Sequence, residues 1–326
     1  MSRLLRVELA RYRSRRIIAL LLLLAALLAA LVAFKSAWDT RPITRQEAAT
    51  ARANAEMEPQ NGDVKQELDA CLANPEQYLG TGTTAEDCRE NFTGSPSNYL
   101  PRKQLDLDGT VKGNGLGVAI AVAGLLVIAA AVFAGSDWAS GSIVTQLLFE
   151  PRRSRVWVAK AIAVTVASGA VALVTIGGFW LALYLVAADR GAPHGSAVVS
   201  DVGWHVLRAV LFATGAALGA FALTMLFRHS VATLALLFTY AVGGELFAIL
   251  LPVDNLGRWT LGNNVYGWLE TQMRYFDPSA PCARLGNCNG LEHIGHLQGG
   301  VYLLVLLLVA VLASLVTFRR RDVAAA

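Results

Sequence analysis

Six apolar stretches, each about as long as a membrane-crossing helix, constrain this chain more than any motif in it. A hydrocarbon core ~30 Å thick requires about 20 helical residues to span it. The stretches cover residues 17–34, 114–134, 156–187, 204–227, 230–251 and 299–318. None alternates apolar and polar residues as a half-buried strand would, and all are rich in Ala, Leu, Val and Gly. With 55% hydrophobic and 16% charged residues in 326, the chain reads as a membrane protein. The expected fold is all-α, with six transmembrane helices. Gly215 and Gly219 form a small-xxx-small pair that allows close helix approach.

Orientation follows from the basic residues, because short cytoplasmic loops accumulate Lys and Arg. Arg3, Arg6, Arg11, Arg13, Arg15 and Arg16 precede the first span, Arg152, Arg153 and Arg155 separate the second and third, Arg228 follows the fourth, and Arg319, Arg320 and Arg321 follow the sixth. With six spans all fall on one side, which predicts cytoplasmic N and C termini and outer segments at 35–113, 188–203 and 252–298. The net charge of +4 therefore reports topology and not nucleic-acid binding. Trp38, Trp138, Trp157 and Trp204 sit at predicted span ends, where indoles favour the headgroup region. Residues 1–16 place Leu5, Leu9 and Tyr12 on one helical face and arginines on much of the rest, as an interfacial helix would. The run at 17–34 exceeds a signal-peptide core and is followed by no clear cleavage site, so it is expected to be a retained span.

All four cysteines fall in outer segments: Cys71 and Cys88 in the first, Cys282 and Cys288 in the last. An oxidising compartment favours disulfides, and pairing within each loop is the simplest of the three possible connectivities. The insertion at 35–113 is long enough for a small domain. Thr44–Glu47 and Thr83–Glu86 have capping-box spacing, and Asp63 is a candidate cap for a helix ending before Pro75. A small helical, disulfide-clipped extracytoplasmic insertion is expected.

Several chemistries are poorly served by the sequence. The five lysines, at 35, 65, 103, 112 and 160, never follow a glycine, so no phosphate-binding loop is present. No HExxH or Gly-x-Ser-x-Gly occurs either. Cys282, Cys288, His293 and His296 have residue types that hold zinc, but thiols facing an oxidising compartment favour a disulfide, and no metal site is assigned. Ionisable residues inside spans cost about 2.5–3.5 kcal/mol at the bilayer centre. Arg208 and Glu245 fall at similar depth near outer span ends and are expected to pair, with His205 nearby.

The segment 135–155 is crowded for a connection between spans. Ile143, Leu147 and Leu148 recur at helical spacing, and Pro151 stops that helix before three arginines. Asp137-Trp138, Gly141-Ser142, Leu147-Leu148, Pro151, Arg152, Arg153, Arg155 and Lys160 resemble a pattern in the permeases of type-2 ATP-binding-cassette transporters, the class shaped like the membrane half of the G subfamily. The resemblance extends to a basic N-terminal helix, six spans, and an amphipathic "WLETQMRYF" (268–276) before the sixth. The disulfide-bearing insertion departs from the simplest members.

The resemblance implies a transport subunit and not an enzyme. A separate ATPase, which binds the ATP and Mg, would receive a cytoplasmic coupling helix at 135–155 through Gly141, Leu147, Leu148, Pro151, Arg152, Arg153 and Arg155, and this chain would hold no cofactor. A second permease copy or related permease would complete the pathway, in a bacterial cytoplasmic membrane, for export of a lipid, drug or peptide-like substrate. A secondary transporter should show an internal repeat, which is absent. A non-transporting anchor or sensor that uses its outer domain to bind a partner is the alternative, and a membrane-embedded metal enzyme the weakest reading.

Overall fold

The computed structural model describes residues 2–57, 62–80, 83–92, 96–250, 256–270, 273–276 and 291–320. The chain is a multi-pass membrane protein with six helices long and apolar enough to cross a bilayer: Arg16–Asp39, Leu107–Ala139, Arg153–Asp189, Ser196–Phe227, Ser230–Phe247 and His296–Arg320. It divides into two compact units, Lys35–Leu105 and a membrane unit of Met1–Phe34 with Asp106–Ala326.

In the membrane unit α1 (Ser2–Ser14) precedes α2 (Arg16–Asp39), and α1 packs on the long helix α10 (Arg153–Asp189). Tyr12 is buried on its inner face, with Leu5 and Leu9 half-buried, as the apolar spacing predicts.

Beyond the insertion, which contributes α3 to α6, Asp106 caps α7 (Leu107–Thr110) by accepting from Asp108 N at 3.0 Å. A π-helical turn at Val111–Gly115 then leads into α8 (Leu116–Ala139), so the second apolar helix starts earlier and ends later than expected. α8 is the most enclosed of the six. Val118, Val122, Leu126, Ala129 and Ala130 are buried, and their small or compact side chains let α10 (Arg153–Asp189) and α11 (Ser196–Phe227) approach closely.

Between α8 and α10 lies α9 (Ser142–Phe149). Gly141, at φ 66°, supplies the left-handed residue that lets the chain turn sharply out of α8. The expected single helix at 230–251 is interrupted: α12 (Ser230–Phe238), a π-helical segment at Thr239–Gly243, and α13 (Gly244–Leu250). α14 (Leu261–Leu269) follows, capped by Thr260, whose Oγ1 accepts from Asn263 N at 3.4 Å.

The segment expected as one amphipathic helix at 268–276 does not form one. α14 ends at Leu269, and Met273–Phe276 is a strand, β1, paired antiparallel with β2 (Leu291–Ile294) in the register Met273↔Ile294. Exposed Arg274 beside buried Tyr275 shows the strand alternation that overrode the helical spacing. This hairpin is the one departure from an all-α fold among the described residues.

α15 (His296–Arg320) closes the unit against α11 and α14. Leu307 of α15 lies 3.6 Å from where a Cβ would stand at Gly215 or Gly219, so the small pair receives one side chain of the last helix. At Gly299 the approach is tighter: a Cβ there would stand 2.5 Å from the Asn264 carbonyl oxygen.

The unit Lys35–Leu105 contains α3 (Arg45–Met57), α4 (Gly62–Ala73), α5 (Pro75–Leu79) and α6 (Ala85–Phe92). Cys71 of α4 and Cys88 of α6 form a disulfide, both fully buried, with Cα atoms 5.9 Å apart. Apolar burial is sparse, with Ala51, Ala55 and Leu105 the other enclosed apolar residues among those described, so the cross-link carries much of the constraint. The expected capping box at Thr44 forms in both directions: Thr44 N donates to Glu47 Oε2 at 2.9 Å and Glu47 N to Thr44 Oγ1 at 3.2 Å. The second box lies one residue later than expected, between Thr84 and Asp87, because α6 starts at Ala85. Asp63 sits inside the first turn of α4 and not at its cap.

Candidate functional site

The arginine-bearing segments converge at one end of the membrane unit. Phe318, in the last turns of α15, packs edge-on against Trp138 of α8, and Arg228 lies 4.8 Å over the same indole. Trp157, expected at a headgroup boundary, is instead buried, its Nε1 donating to Ser314 Oγ of α15 at 3.1 Å. Trp38 and Trp204 are exposed.

This end encloses a cluster of charges. Glu8 and Lys160 are fully buried and Asp137 is 1% exposed. Lys160 Nζ donates to Glu8 Oε2 at 2.9 Å and to Asp137 Oδ2 at 2.5 Å. Asp137 Oδ1 accepts from Arg15 Nη2 at 2.6 Å, and Arg15 Nη1 donates to the Phe133 carbonyl at 3.3 Å. Both cations also lie over the Phe133 ring, each 5.4 Å from its centroid. Four residues from α1, the α1–α2 junction, α8 and α10 thus set two enclosed positive charges against two negative ones, with partly exposed Arg11 3.7 Å from Glu8 at the rim. Balance and full hydrogen bonding are what permit charge burial, since an unpaired buried ion is strongly unfavourable.

The same carboxylates hold α9. Gln146 Nε2 donates to Glu8 Oε1 at 2.7 Å, and Ser142 Oγ donates to Asp137 Oδ1 at 3.1 Å. Ile143 is buried on that face of the helix. On the other face Leu148 is 78% exposed, and Phe149, at the C-terminal end of the helix, is 87% exposed. Leu147, expected to act beside Leu148, is half-buried. Gly141, Pro151, Arg152 and Arg155 are exposed around the helix ends and Arg153 is half-buried, so the coupling residues read from the sequence surround one short helix.

The opposite end of the unit gathers the other candidates, but not as expected. Arg208 and Glu245 have separate partners. Arg208 Nη1 bonds His296 Nε2, and its carbonyl accepts from Trp268 Nε1 at 3.0 Å. Glu245 Oε1 accepts from Gly262 N at 2.8 Å, because α13 lies beside the first turn of α14. Buried His205 bonds the Leu269 carbonyl through Nδ1 at 3.1 Å, and His296 Nδ1 lies 3.1 Å from the Gly267 carbonyl. The two histidines therefore satisfy carbonyls at the end of α14. His293 lies in β2 opposite Arg274, so it does not share a helical face with His296. Cys282 and Cys288, and with them the second expected disulfide, lie outside the described residues.

Sequence reasoning singled out Asp137 and Lys160 only as part of a motif, and overlooked Glu8, Arg15 and Gln146 as site residues. The signal was present. Glu8 is a carboxylate three residues after Leu5 and four before Tyr12, on the apolar face of α1, and Asp137 and Lys160 are ionisable groups within the apolar helices.

No family model, curated protein or solved structure matches the chain.

Proposed function

We propose that this chain is the membrane subunit of a type-2 ATP-binding-cassette exporter, driven by a separate ATPase that docks on α9. The observation that carries this reading is the two-faced character of α9. One face is fixed to buried carboxylates through Ser142 and Gln146, while Leu148 on the opposite face and Phe149 at the C-terminal end of the helix are exposed. A solvent-facing Leu-Phe pair on a rigidly held helix suits a partner's apolar cleft. In this reading the arginine-rich end faces the cytoplasm, the unit Lys35–Leu105 lies outside, and the membrane is the bacterial inner one. Two permease subunits and two ATPases complete the transporter, and the substrate is a lipid, drug or peptide-like molecule.

The test is co-expression with a candidate ATP-binding-cassette ATPase and co-purification of the two. Leu148→Asp with Phe149→Asp should abolish recovery of the ATPase, while Arg152→Gln should retain it. Unchanged recovery with the double variant would remove α9 as the docking helix.

A second reading, a membrane anchor or sensor, draws on the disulfide-clipped outer unit. It predicts that the chain purifies without any ATPase and that deleting the outer unit abolishes partner binding.

A further inference from the structure

We infer that Lys160 anchors a charge clamp that makes α1 and α9 move as one body, so that force applied to α9 reaches α1 and α8 together. The inference rests on the docking role proposed for α9, and names Lys160, Glu8 and Gln146 as positioning residues for coupling.

The division of oxygens between partners carries the argument. Each buried carboxylate gives one oxygen to Lys160 and the other to α9: Glu8 uses Oε2 for Lys160 and Oε1 for Gln146, and Asp137 uses Oδ2 for Lys160 and Oδ1 for Ser142. Both acids therefore bridge the long helix α10 to the short helix α9, at its first residue and one turn later.

An eight-residue helix has little stability of its own, and Ile143 is the one side chain it fully buries. Polar ties must then set its rotation and axial position. Hydrogen bonds do this directionally, whereas the apolar contact of Ile143 tolerates sliding. Such ties are not needed for stability as such, because well-packed apolar residues often replace a buried ion network without loss. Orientation is what charges supply and apolar packing does not.

Glu8 makes the consequence specific. It belongs to α1, which is joined to α9 in sequence only through α2, the insertion and α8. Without the Glu8–Gln146 bond, a push on α9 would act on α8 and α10 through the adjoining backbone. With it, α1 is tied to α9 directly and not only through its packing on α10.

The experiment places nitroxide labels at positions 6 and 145, both exposed, through an azide-bearing amino acid that leaves the four cysteines untouched. Distances are read in full-length protein in lipid nanodiscs. The chain alone should give a single narrow distance. Gln146→Met, which leaves every charge in the cluster paired, and Lys160→Met should each lose the single peak. If Lys160→Met does not fold, Gln146→Met decides the matter. An unchanged peak in Gln146→Met would overturn the clamp.

Adding the ATPase with ATP and vanadate should move position 145 relative to a label at position 204 while the 6–145 distance stays constant. If position 145 moves and the 6–145 distance changes with it, the clamp is wrong and the docking reading stands. If the ATPase does not bind, the docking reading fails, while the result for the chain alone still decides whether α1 and α9 are clamped.

Discussion

Replacing Lys160 by Met removes the one cation that touches both buried carboxylates, and its cost follows from the contacts that remain. Asp137 keeps Arg15 at 2.6 Å and Ser142 at 3.1 Å. Glu8 keeps Gln146, but its nearest remaining cation is Arg11 at 3.7 Å, which is partly exposed. The variant therefore leaves Glu8 without a buried cation, with only the longer contact to partly exposed Arg11 to compensate it. Removing one partner of a buried ion pair costs about 3–5 kcal/mol. At 2–4 °C per kcal/mol for chains of 150–250 residues, the melting temperature should fall by roughly 6–20 °C. Adding Glu8→Gln restores charge balance, because one anion and one cation then remain, and should recover about 1–3 kcal/mol. The assay is thermal unfolding in detergent micelles, repeated at low and high salt. High salt should not rescue Lys160→Met, since buried charges are little screened. A melting temperature matching wild type, or no recovery in the double variant, would refute the charge-balance account.

Three further outcomes follow from other parts of the fold. Gly299→Ala should cost about 1–3 kcal/mol, because its Cβ would press on α14 backbone, whereas Gly117→Ala, with open space around it, should cost less than ~0.5 kcal/mol; thermal melts of the two compare directly. Cys71→Ser should destabilise the Lys35–Leu105 unit by about 3 kcal/mol, for a closed loop of 17 residues, and expose it to protease without unfolding the membrane unit. Glu47, held down to about 2 by its hydrogen bond from Arg102, contributes stability that is present above the ordinary value of 4.5 and is lost as pH falls through about 2. Arg102→Gln should move the Glu47 titration back toward that ordinary value, measured by carboxyl NMR. Asp87, lowered by the backbone N–H of Thr84, should titrate below its usual value in the same spectrum.

What the sequence made legible divides along a physical line. Long apolar runs report a solvent requirement, so six helices were readable without knowing how they pack. Cys71 and Cys88 were readable because a short segment with its own cysteine pair has few alternative partners. The same holds for Thr44 and Glu47, whose capping box uses neighbours in the chain. Pairings across distant segments were not readable. Arg208 and Glu245 lie at similar depth, but depth says nothing about rotation about a helix axis, and the Arg208 side chain meets His296 of α15 while Glu245 meets Gly262 of α14. The strand at Met273–Phe276 depended on β2, which no local period announces.

The buried cluster shows which signal deserved more weight. An arginine near a span end can extend toward water, so its position in the sequence says little about its role. Glu8 has no such escape: its side chain is short, and Leu5 and Tyr12 fix its face of α1 against α10. A carboxylate so enclosed requires a buried cation. The sequence offers few lysines, and only Lys160 lies within a predicted span. Asp137 then becomes the second anion that Lys160 can hold, and Arg15 the cation that closes the balance. Charge neutrality inside a low-dielectric region therefore restricts partners more tightly than hydrophobic spacing does, and it restricts them across 152 residues of chain between Glu8 and Lys160.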